Sequence, residues 1–366
     1  MSLALIDITE SSLAKRHFFS LPEVIYKDDT NYCRPFSGSL SSSICPDSFG
    51  RRQRILVVLE NGQSVGRVVA SISAQMPHLG TLGFFESLNR KDAVQMLLNE
   101  AIRWLLESGA QRIIGPMDSD TWHNYRMNLG PFGTPPFLME PYNPPYYPAL
   151  WENCGFKVSE SYYSKRLNDV GPVLQALEPI YRKTLSEGYT LRPINTRQFD
   201  KELRLIYDLS KLIFADNPFF SPISYDVFVI MYREFRWLID DDLVWFALAP
   251  NGQHIGFLFC MRNFFDAIKS MKGKRSLFSL LTFVLKRRFC DSINFKTIGV
   301  LPEHRSHRIA STLMYQAYRR IWDKGYRKAN LCLIREDNYS GNLDREKGEI
   351  MRRYALYEWT EQHPLR

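Results

Sequence analysis

The stretch that decides the fold is Thr297–Met314, TIGVLPEHRSHRIASTLM, in which an apolar strand runs into a helix. The strand pattern ends at Val300-Leu301-Pro302, and apolar residues at helical spacing begin a few positions later. The first N–H groups of a helix lack intrahelical partners, and the helix dipole adds partial positive charge there. Arg305 and Arg308 add guanidinium groups, which can each donate two hydrogen bonds to one phosphate. The stretch therefore predicts a site for a pyrophosphate.

Pro302 predicts a second property of the same stretch. Proline has no N–H to donate to a neighbouring strand, so strand pairing should stop there. Backbone groups of Ile298 and Val300 are then available to pair with an extended ligand that contains amides.

These features resemble the GNAT superfamily of acyl-CoA-dependent acyltransferases. The family's pyrophosphate loop has Gln or Arg, two residues, Gly, one residue, and Gly or Ala; the matching run is Arg305-Ser306-His307-Arg308-Ile309-Ala310. Arg308 stands where the family has glycine. The resemblance implies acyl-CoA or acetyl-CoA as co-substrate, bound by Ile298, Val300, this run and Asn338. It also implies that a backbone N–H near Val300 polarises the thioester carbonyl.

The resemblance covers most of the chain. Leu331–Asn338 resembles the family's next strand, which splays from its neighbour to admit the pantetheine arm. A subgroup with two GNAT-like halves is suggested by four further runs: Arg345-Glu346-Lys347-Gly348, Tyr354-Ala355-Leu356-Tyr357-Glu358, Gly83-Phe84-Phe85-Glu86 and Asn143-Pro-Pro-Tyr146-Tyr147. The fold class implied is α/β: two tandem GNAT-like halves, each a mixed, mostly antiparallel sheet with a splayed central strand pair, flanked by helices.

The order of predicted elements repeats along the chain. Hairpin turns at Glu60–Gln63 and Pro250–Gln253 each precede a strand, a helix and another strand, which indicates an internal duplication. We predict an N-terminal half over 1–188, with a connector at Asp169–Gly188, and a C-terminal half over 189–366. The first half has no counterpart of Arg305–Ala310, so it is not expected to bind CoA in the usual way.

Acyl transfer from a thioester to an amine requires a deprotonated amine, a polarised carbonyl and a stabilised leaving thiolate. Glu336 follows the predicted strand, where a partly buried carboxylate could act as base; a solvated strand-end acid is the alternative. Tyr339 is the candidate acid, although a tyrosine in such a loop also serves for packing. Tyr146 and Tyr147 are candidates for binding the amine substrate, with a packed loop as the alternative.

A basic, apolar insert lies at 264–290. Within it, Ser276–Arg288 reads SLFSLLTFVLKRR, which is too short to span a bilayer. Three interpretations remain open for this segment: a helix buried against the core, a lid over a long acyl chain, or an interfacial membrane contact. Its basic residues could also receive an acyl carrier protein.

Charge and composition bound the function. The 366 residues carry a net charge of +8, and Phe265–Arg308 holds ten Lys or Arg against three acids. No nucleic-acid motif accompanies this charge, so no nucleic-acid partner is expected. Six cysteines lack metal-site spacing, so no metal is expected, and the absence of a long apolar run or a leader pattern predicts a cytoplasmic protein without a transmembrane segment.

The function predicted is acyl-CoA-dependent N-acyl transfer to the primary amine of a small molecule or peptide by direct attack. One alternative is a fatty acyltransferase that uses acyl carrier protein or long-chain acyl-CoA on an amino acid or peptide. The other is a non-catalytic acyl-CoA-binding protein.

Overall fold

The computed structural model describes residues 2–11, 15–36, 50–337 and 348–361. These residues form two compact units. The first comprises the described residues within 1–161, 272–274 and 353–366, and the second those within 162–271 and 275–352.

The elements of the first unit are β1 (Leu3–Asp7), α1 (Lys15–Ile25), β2 (Arg51–Glu60), β3 (Gln63–Ser73), β4 (Met76–Ser87), α2 (Lys91–Glu107), β5 (Arg112–Gly115), β6 (Met127–Gly130) and α3 (Tyr147–Glu152). Its sheet has the order β1-β2-β3-β4-β5, and of these five strands only β4 and β5 run parallel. The helix α2 forms the crossover between these two strands.

The second unit repeats this plan. The remaining elements of the chain are β7 (Phe156–Leu167), α4 (Gly171–Ser186), β8 (Thr190–Pro193), α5 (Phe199–Ile213), α6 (Tyr225–Tyr232), β9 (Val244–Leu248), β10 (His254–Arg262), α7 (Phe265–Lys269), α8 (Leu277–Lys286), β11 (Ser292–Val300), α9 (Ile309–Asp323), β12 (Lys328–Arg335) and β13 (Glu349–Trp359). The sheet of the second unit has the order β7-β12-β11-β10-β9-β8; β11 and β12 are parallel, and α9 forms the crossover between them.

The two units are not contiguous in sequence. Residues 353–359 of β13 belong to the first unit, where they pair with β5 and β6. Residues 162–167 of β7 belong to the second unit, where they pair with β12. The compact units therefore differ from the predicted segments 1–188 and 189–366, because each unit includes strand residues from the other segment.

Both predicted hairpins are confirmed, and the first shows why the chain reverses where it does. Asn61 and Gly62 have φ angles of +50° and +78°, the left-handed conformation that a two-residue turn between twisted strands requires. Asparagine and glycine adopt it at little steric cost. The turn residues thus set the register of β2 against β3.

Each unit has its own hydrophobic core beneath its crossover helix. In the second unit, Leu313, Ala317, Tyr318 and Ile321 of α9 are fully buried. In the first, α2 buries Leu97 and the other apolar residues of one helical face. Burying one large apolar side chain stabilises the fold by about 1.5–3 kcal/mol, so these helices fix the parallel strand pairs that they connect.

The segment predicted as a connector, Asp169–Gly188, is mostly the helix α4. Pro172 lies in its first turn, where proline needs no N–H partner, and Val173 and Leu177 are buried. One of the three interpretations of Ser276–Arg288, a helix buried against the core, is wrong, because six of the seven large apolar residues of α8 are exposed. Among the described residues, no helix combines the length and apolar character that crossing a bilayer requires.

Candidate functional site

The parallel strands of the second unit splay apart, as the family resemblance implies. β11 and β12 pair from Ser292↔Lys328 to Phe295↔Leu331 and no further, although both strands continue. Leu333 has a φ of +57°, and its N–H donates to the Ser164 hydroxyl of β7 at 2.9 Å. This irregularity turns the end of β12 toward β7, which leaves a gap beside β11.

The backbone of β11 faces this gap at alternate residues. On its other side β11 remains paired with β10 up to Gly256↔Val300, and the Leu301 N–H donates to the Ile255 carbonyl at 2.8 Å. Since backbone groups alternate along a strand, those of Val300 and Ile298 point to the opposite edge, toward β12. These are the two residues that the sequence predicts to meet an amide-containing ligand.

The loop from β11 to α9 has the shape that the glycine motif implies, although it lacks the glycine. Pro302–His307 forms a tight 3₁₀ turn, and Arg308 follows with φ +58° and ψ +23°. Glycine adopts this left-handed conformation readily, whereas a residue with a Cβ is strained in it by about 1 kcal/mol or more. Arginine therefore occupies the glycine conformation, and the turn is kept.

Within the part of the chain that the structure describes, the first turn of α9 presents backbone donors without a capping side chain. The first hydrogen bond within the helix is from the Thr312 N–H to the Arg308 carbonyl at 3.1 Å, and the side chain of Arg308, the N-cap residue, accepts no hydrogen bond from the helix. The N–H groups of Ile309 and Ala310 precede that bond, so they lack intrahelical acceptors. Together with the helix dipole, they form a site suited to an anion.

Arg305 serves the loop itself. Its Nε donates to the Val300 carbonyl at 3.2 Å, and one terminal nitrogen donates to the Ile213 carbonyl at the end of α5 at 3.0 Å. The side chain therefore joins the end of β11 to the end of α5. Phosphate binding by Arg305 stays a prediction. The geometry gives the side chain a positioning role beside the gap.

Histidine and serine complete the surface of the loop. Ser306 and His307 are exposed, and the His307 ring lies 5.5 Å from that of buried Tyr189, centroid to centroid. This packing gives His307 a structural role in the turn. Both residues remain predicted ligands of the co-substrate.

The predicted catalytic residues fall at the end of β12. Glu336 is exposed in the turn after the strand, so the partial burial that the base hypothesis assumed is absent. Asp337 beside it forms an ion pair with Arg335. Asn338 and Tyr339 lie outside the described residues. Their roles, and the role of Glu336 as base, stay predictions.

Tyr146 and Tyr147 belong to a hydrogen-bonded network of the first unit. The buried Tyr147 hydroxyl donates to Glu86 Oε2 at 2.7 Å and accepts from the Ser87 N–H at 2.8 Å. The Tyr146 hydroxyl donates to the Ser87 carbonyl at 2.9 Å. Both hydroxyls thus hold the end of β4, and substrate binding by these residues remains a prediction.

Around Glu86 the sequence analysis missed a buried network. Tyr26 donates to Glu86 Oε2 at 3.0 Å, and the buried Arg67 guanidinium lies 3.9 Å from Glu86 Oε1. Burial raises the pKa of Glu86 and lowers that of Arg67, each partly offset by the other's charge. In the sequence, the signal for this network was Glu86 itself, an acid at the end of an apolar strand.

The corresponding gap in the first unit is filled by the chain. β4 and β5 pair only up to Thr81↔Ile114, after which the Met117 N–H donates to the Leu82 carbonyl at 2.8 Å. The next outward group of β4, the Phe84 N–H, donates to Asp118 Oδ1 at 2.5 Å. The backbone groups equivalent to those of Ile298 and Val300 are therefore already paired.

The turn from strand to helix also differs between the units. Only Leu88–Arg90 separates β4 from α2, whereas residues 301–308 separate β11 from α9. Arg90, which precedes α2, forms ion pairs with Glu60 and Asp92. The first unit therefore has no loop equivalent to Pro302–Arg308 in its described residues.

Asp118 gives a stability test of the filled gap. Its burial raises the pKa of the carboxyl to about 6, so the folded protein holds a proton there that the unfolded chain releases near pH 4. The stability of the wild type should then fall as pH rises from 4 to 6. The free energy of unfolding of Asp118→Asn, relative to that of the wild type, should be about 1–3 kcal/mol higher at pH 8 than at pH 4. Urea unfolding across this pH range measures the difference.

Asp92→Asn is the control for this experiment, because side-chain hydrogen bonds from Arg90 lower the pKa of Asp92 to about 2. Its carboxylate stabilises the fold above pH 4 and loses that effect as pH falls toward 2, the opposite dependence. A flat pH response of the Asp118→Asn difference would contradict the proposed burial.

Comparison with known proteins places the fold. No protein-family model matches the sequence. The chain is 25% identical to protein YghO of Escherichia coli (strain K12) over 93% of this chain and 91% of that one. It is 21% identical to the bacterial ceramide synthase of Caulobacter vibrioides over 97% of both chains.

Among solved structures, a tandem GNAT protein from the clavulanic acid biosynthesis pathway matches over 99% of both chains, with a TM-score of 0.55 and 13% identity. Together with the repeated plan and the splayed pair β11/β12, this match shows that the chain has the tandem GNAT fold. The fold class predicted from the sequence is confirmed.

Proposed function

We propose that this chain, with its tandem GNAT fold, is an N-acyltransferase that moves a fatty acyl group from CoA to the primary amine of a long-chain amphiphile. The observation that carries the proposal is the open gap beside β11, which continues into the uncapped start of α9. An extended chain of amides ending in a pyrophosphate fits these two features in that order. The described residues of the first unit have neither feature, so the second unit is the one that we assign to acyl-CoA.

In the reaction, the amine nitrogen attacks the thioester carbonyl carbon, the new C–N bond forms, and the C–S bond breaks. We assign the polarisation of the carbonyl oxygen to the Val300 N–H, at the end of β11. The amine proton passes to a base, for which Glu336 is the candidate, and the thiolate leaves as the CoA thiol after it takes up a proton. Holding the two substrates together supplies much of the rate enhancement.

The proposal of an amphiphilic acceptor rests on the similarity of this chain to a named relative. The protein that matches over 97% of both chains is named a bacterial ceramide synthase, and a ceramide is the amide of a fatty acid with a long-chain amino alcohol. This product requires the same bond change as the reaction proposed here. The acceptor class is thus narrower than the general primary amine that the sequence predicts.

A substrate matrix tests the proposal. We would incubate the protein with palmitoyl-CoA, acetyl-CoA or palmitoyl acyl carrier protein as donor and with sphinganine or a short amino acid as acceptor. Mass spectrometry would follow the amide, and a thiol reagent would follow the released thiol. The expected result is N-palmitoyl sphinganine with equimolar thiol release. If amide forms only from palmitoyl acyl carrier protein, the donor in the proposal is wrong. If amide forms only with the amino acid, the acceptor is wrong.

Two variants separate catalysis from binding. Glu336→Gln should lower kcat by about 10²–10⁴-fold without changing the affinity for palmitoyl-CoA, if Glu336 is the base. The neighbouring Asp337→Asn is the matched control and should keep wild-type kcat. Tight palmitoyl-CoA binding without turnover on any amine would support the alternative, a non-catalytic acyl-CoA-binding protein, which the exposed Glu336 and the substituted Arg308 favour.

A further inference from the structure

The helix α8 has its apolar side outward. Six large apolar residues are exposed on it, with exposed fractions from 45% to 87%: Leu277, Phe278, Leu280, Leu281, Val284 and Leu285. At 100° per residue, they fall within one arc of about 160° on the helix surface. Phe289, 72% exposed, extends this apolar face into the following turn.

The side of α8 that faces the protein is small and partly polar. Ser279 is buried there, and Thr282 and Phe283 are half-buried. The Phe283 ring lies 5.6 Å from that of Phe264, centroid to centroid, and Ser276 caps the helix through the Ser279 N–H at 3.2 Å. The helix is thus held by its narrow polar side, the reverse of an ordinary surface helix.

Basic residues flank the apolar face. Between positions 274 and 290 there are five Lys or Arg and no Asp or Glu, and all five are exposed: Lys274, Arg275, Lys286, Arg287 and Arg288. An apolar face with cationic ends complements a hydrocarbon layer that is bordered by negatively charged groups. A bilayer that contains anionic lipid has these properties.

We propose that α8 and Arg287–Phe289 form an interfacial anchor that lies in the headgroup region of an anionic membrane. At ten residues, α8 is about 15 Å long, too short to span the bilayer but long enough to bury its exposed arc in the interface. The basic residues at both ends then contact lipid phosphates. The anchor is independent of the proposed reaction, and it would bring the protein to the surface in which long-chain substrates reside.

Vesicle sedimentation tests the anchor. The full chain should sediment with vesicles of phosphatidylcholine and phosphatidylglycerol, and much less with phosphatidylcholine alone, because the basic residues require anionic lipid. The double variant Phe278→Ser/Leu281→Ser should weaken binding by about 10-fold or more. The triple variant Lys286→Gln/Arg287→Gln/Arg288→Gln should lose the preference for anionic lipid and the sensitivity to salt.

Leu212→Ser is the matched control, since Leu212 is 60% exposed on the separate helix α5. It should bind vesicles as the wild type does. The proposal is overturned if the wild type binds neither vesicle, or if the double variant binds like Leu212→Ser. It is also overturned if sedimentation velocity without lipid shows a dimer that only the double variant breaks, because the face would then join two copies.

Discussion

Gly83→Ala is expected to destabilise the protein by more than about 3 kcal/mol, enough to prevent folding of the first unit. A Cβ at Gly83 would lie 2.2 Å from the Met117 carbonyl oxygen and 2.7 Å from the Asp118 Cα. Both are backbone atoms, so no side chain can rotate to make room. Urea unfolding followed by circular dichroism measures the loss.

Gly66→Ala on the adjacent strand β3 is the control. Its nearest contact would be the Ser87 hydroxyl at 3.4 Å, an ordinary van der Waals distance, so a change below about 1 kcal/mol is expected. Equal stability of the two variants would show that the chain at Met117–Asp118 does not pack against β4.

The reason for this sensitivity is also the reason that the two units differ. In the first unit the backbone of Met117 and Asp118 packs on Gly83. The Met117 N–H donates to the Leu82 carbonyl, and the Phe84 N–H donates to the Asp118 carboxylate. In the second unit the ladder between β11 and β12 stops at Phe295, and the gap stays open. The first unit thus pairs the backbone groups of its splayed strand with its own chain, whereas in the second unit these groups are the ones proposed to pair with CoA.

The sequence predicted those features that depend on local chemistry. Asparagine and glycine favour tight turns: Asn61 and Gly62 have positive φ angles in the first hairpin, and Gly252 has a φ of +83° in the second, so both hairpins were predicted correctly. The strand, loop and helix around Arg305 follow from a change of hydrophobic period and a proline. The splay of β11 from β12 came only from the family resemblance.

What could not be predicted depends on residues distant in the chain. Glu86 meets Tyr26, Arg67 and Tyr147 only after the fold has formed, and no local pattern records that network. The apolar residues of α8 have clear helical spacing, but spacing shows that one face is apolar and not whether this face meets protein or solvent. The buried-helix interpretation failed for that reason.

The effect of Arg308→Glu on CoA affinity is expected to be the largest of any single substitution in the second unit. Arg308 immediately precedes the free N–H groups of α9, so a carboxylate there opposes both a pyrophosphate and the helix dipole. Reversing one charge within about 5 Å of an anion corresponds to an affinity loss of about 100-fold. Isothermal titration calorimetry with CoA measures it.

Two further variants isolate the cause. Arg319→Glu makes the same change in net charge on an exposed residue of α9, about 16 Å further along the helix, and should leave CoA affinity within about 3-fold of wild type. Arg308→Gly removes the charge but suits the φ of +58°, so it should stabilise the fold by about 1 kcal/mol.

The affinity of Arg308→Gly decides what the substituted glycine does. An affinity within about 10-fold of wild type would show that the backbone turn and the helix start bind the anion, with arginine as a tolerated occupant. A loss as large as that of Arg308→Glu would show that the guanidinium is itself a ligand. Wild-type CoA affinity in Arg308→Glu would show that the loop does not bind the pyrophosphate, because a carboxylate at this position would repel a pyrophosphate beside α9.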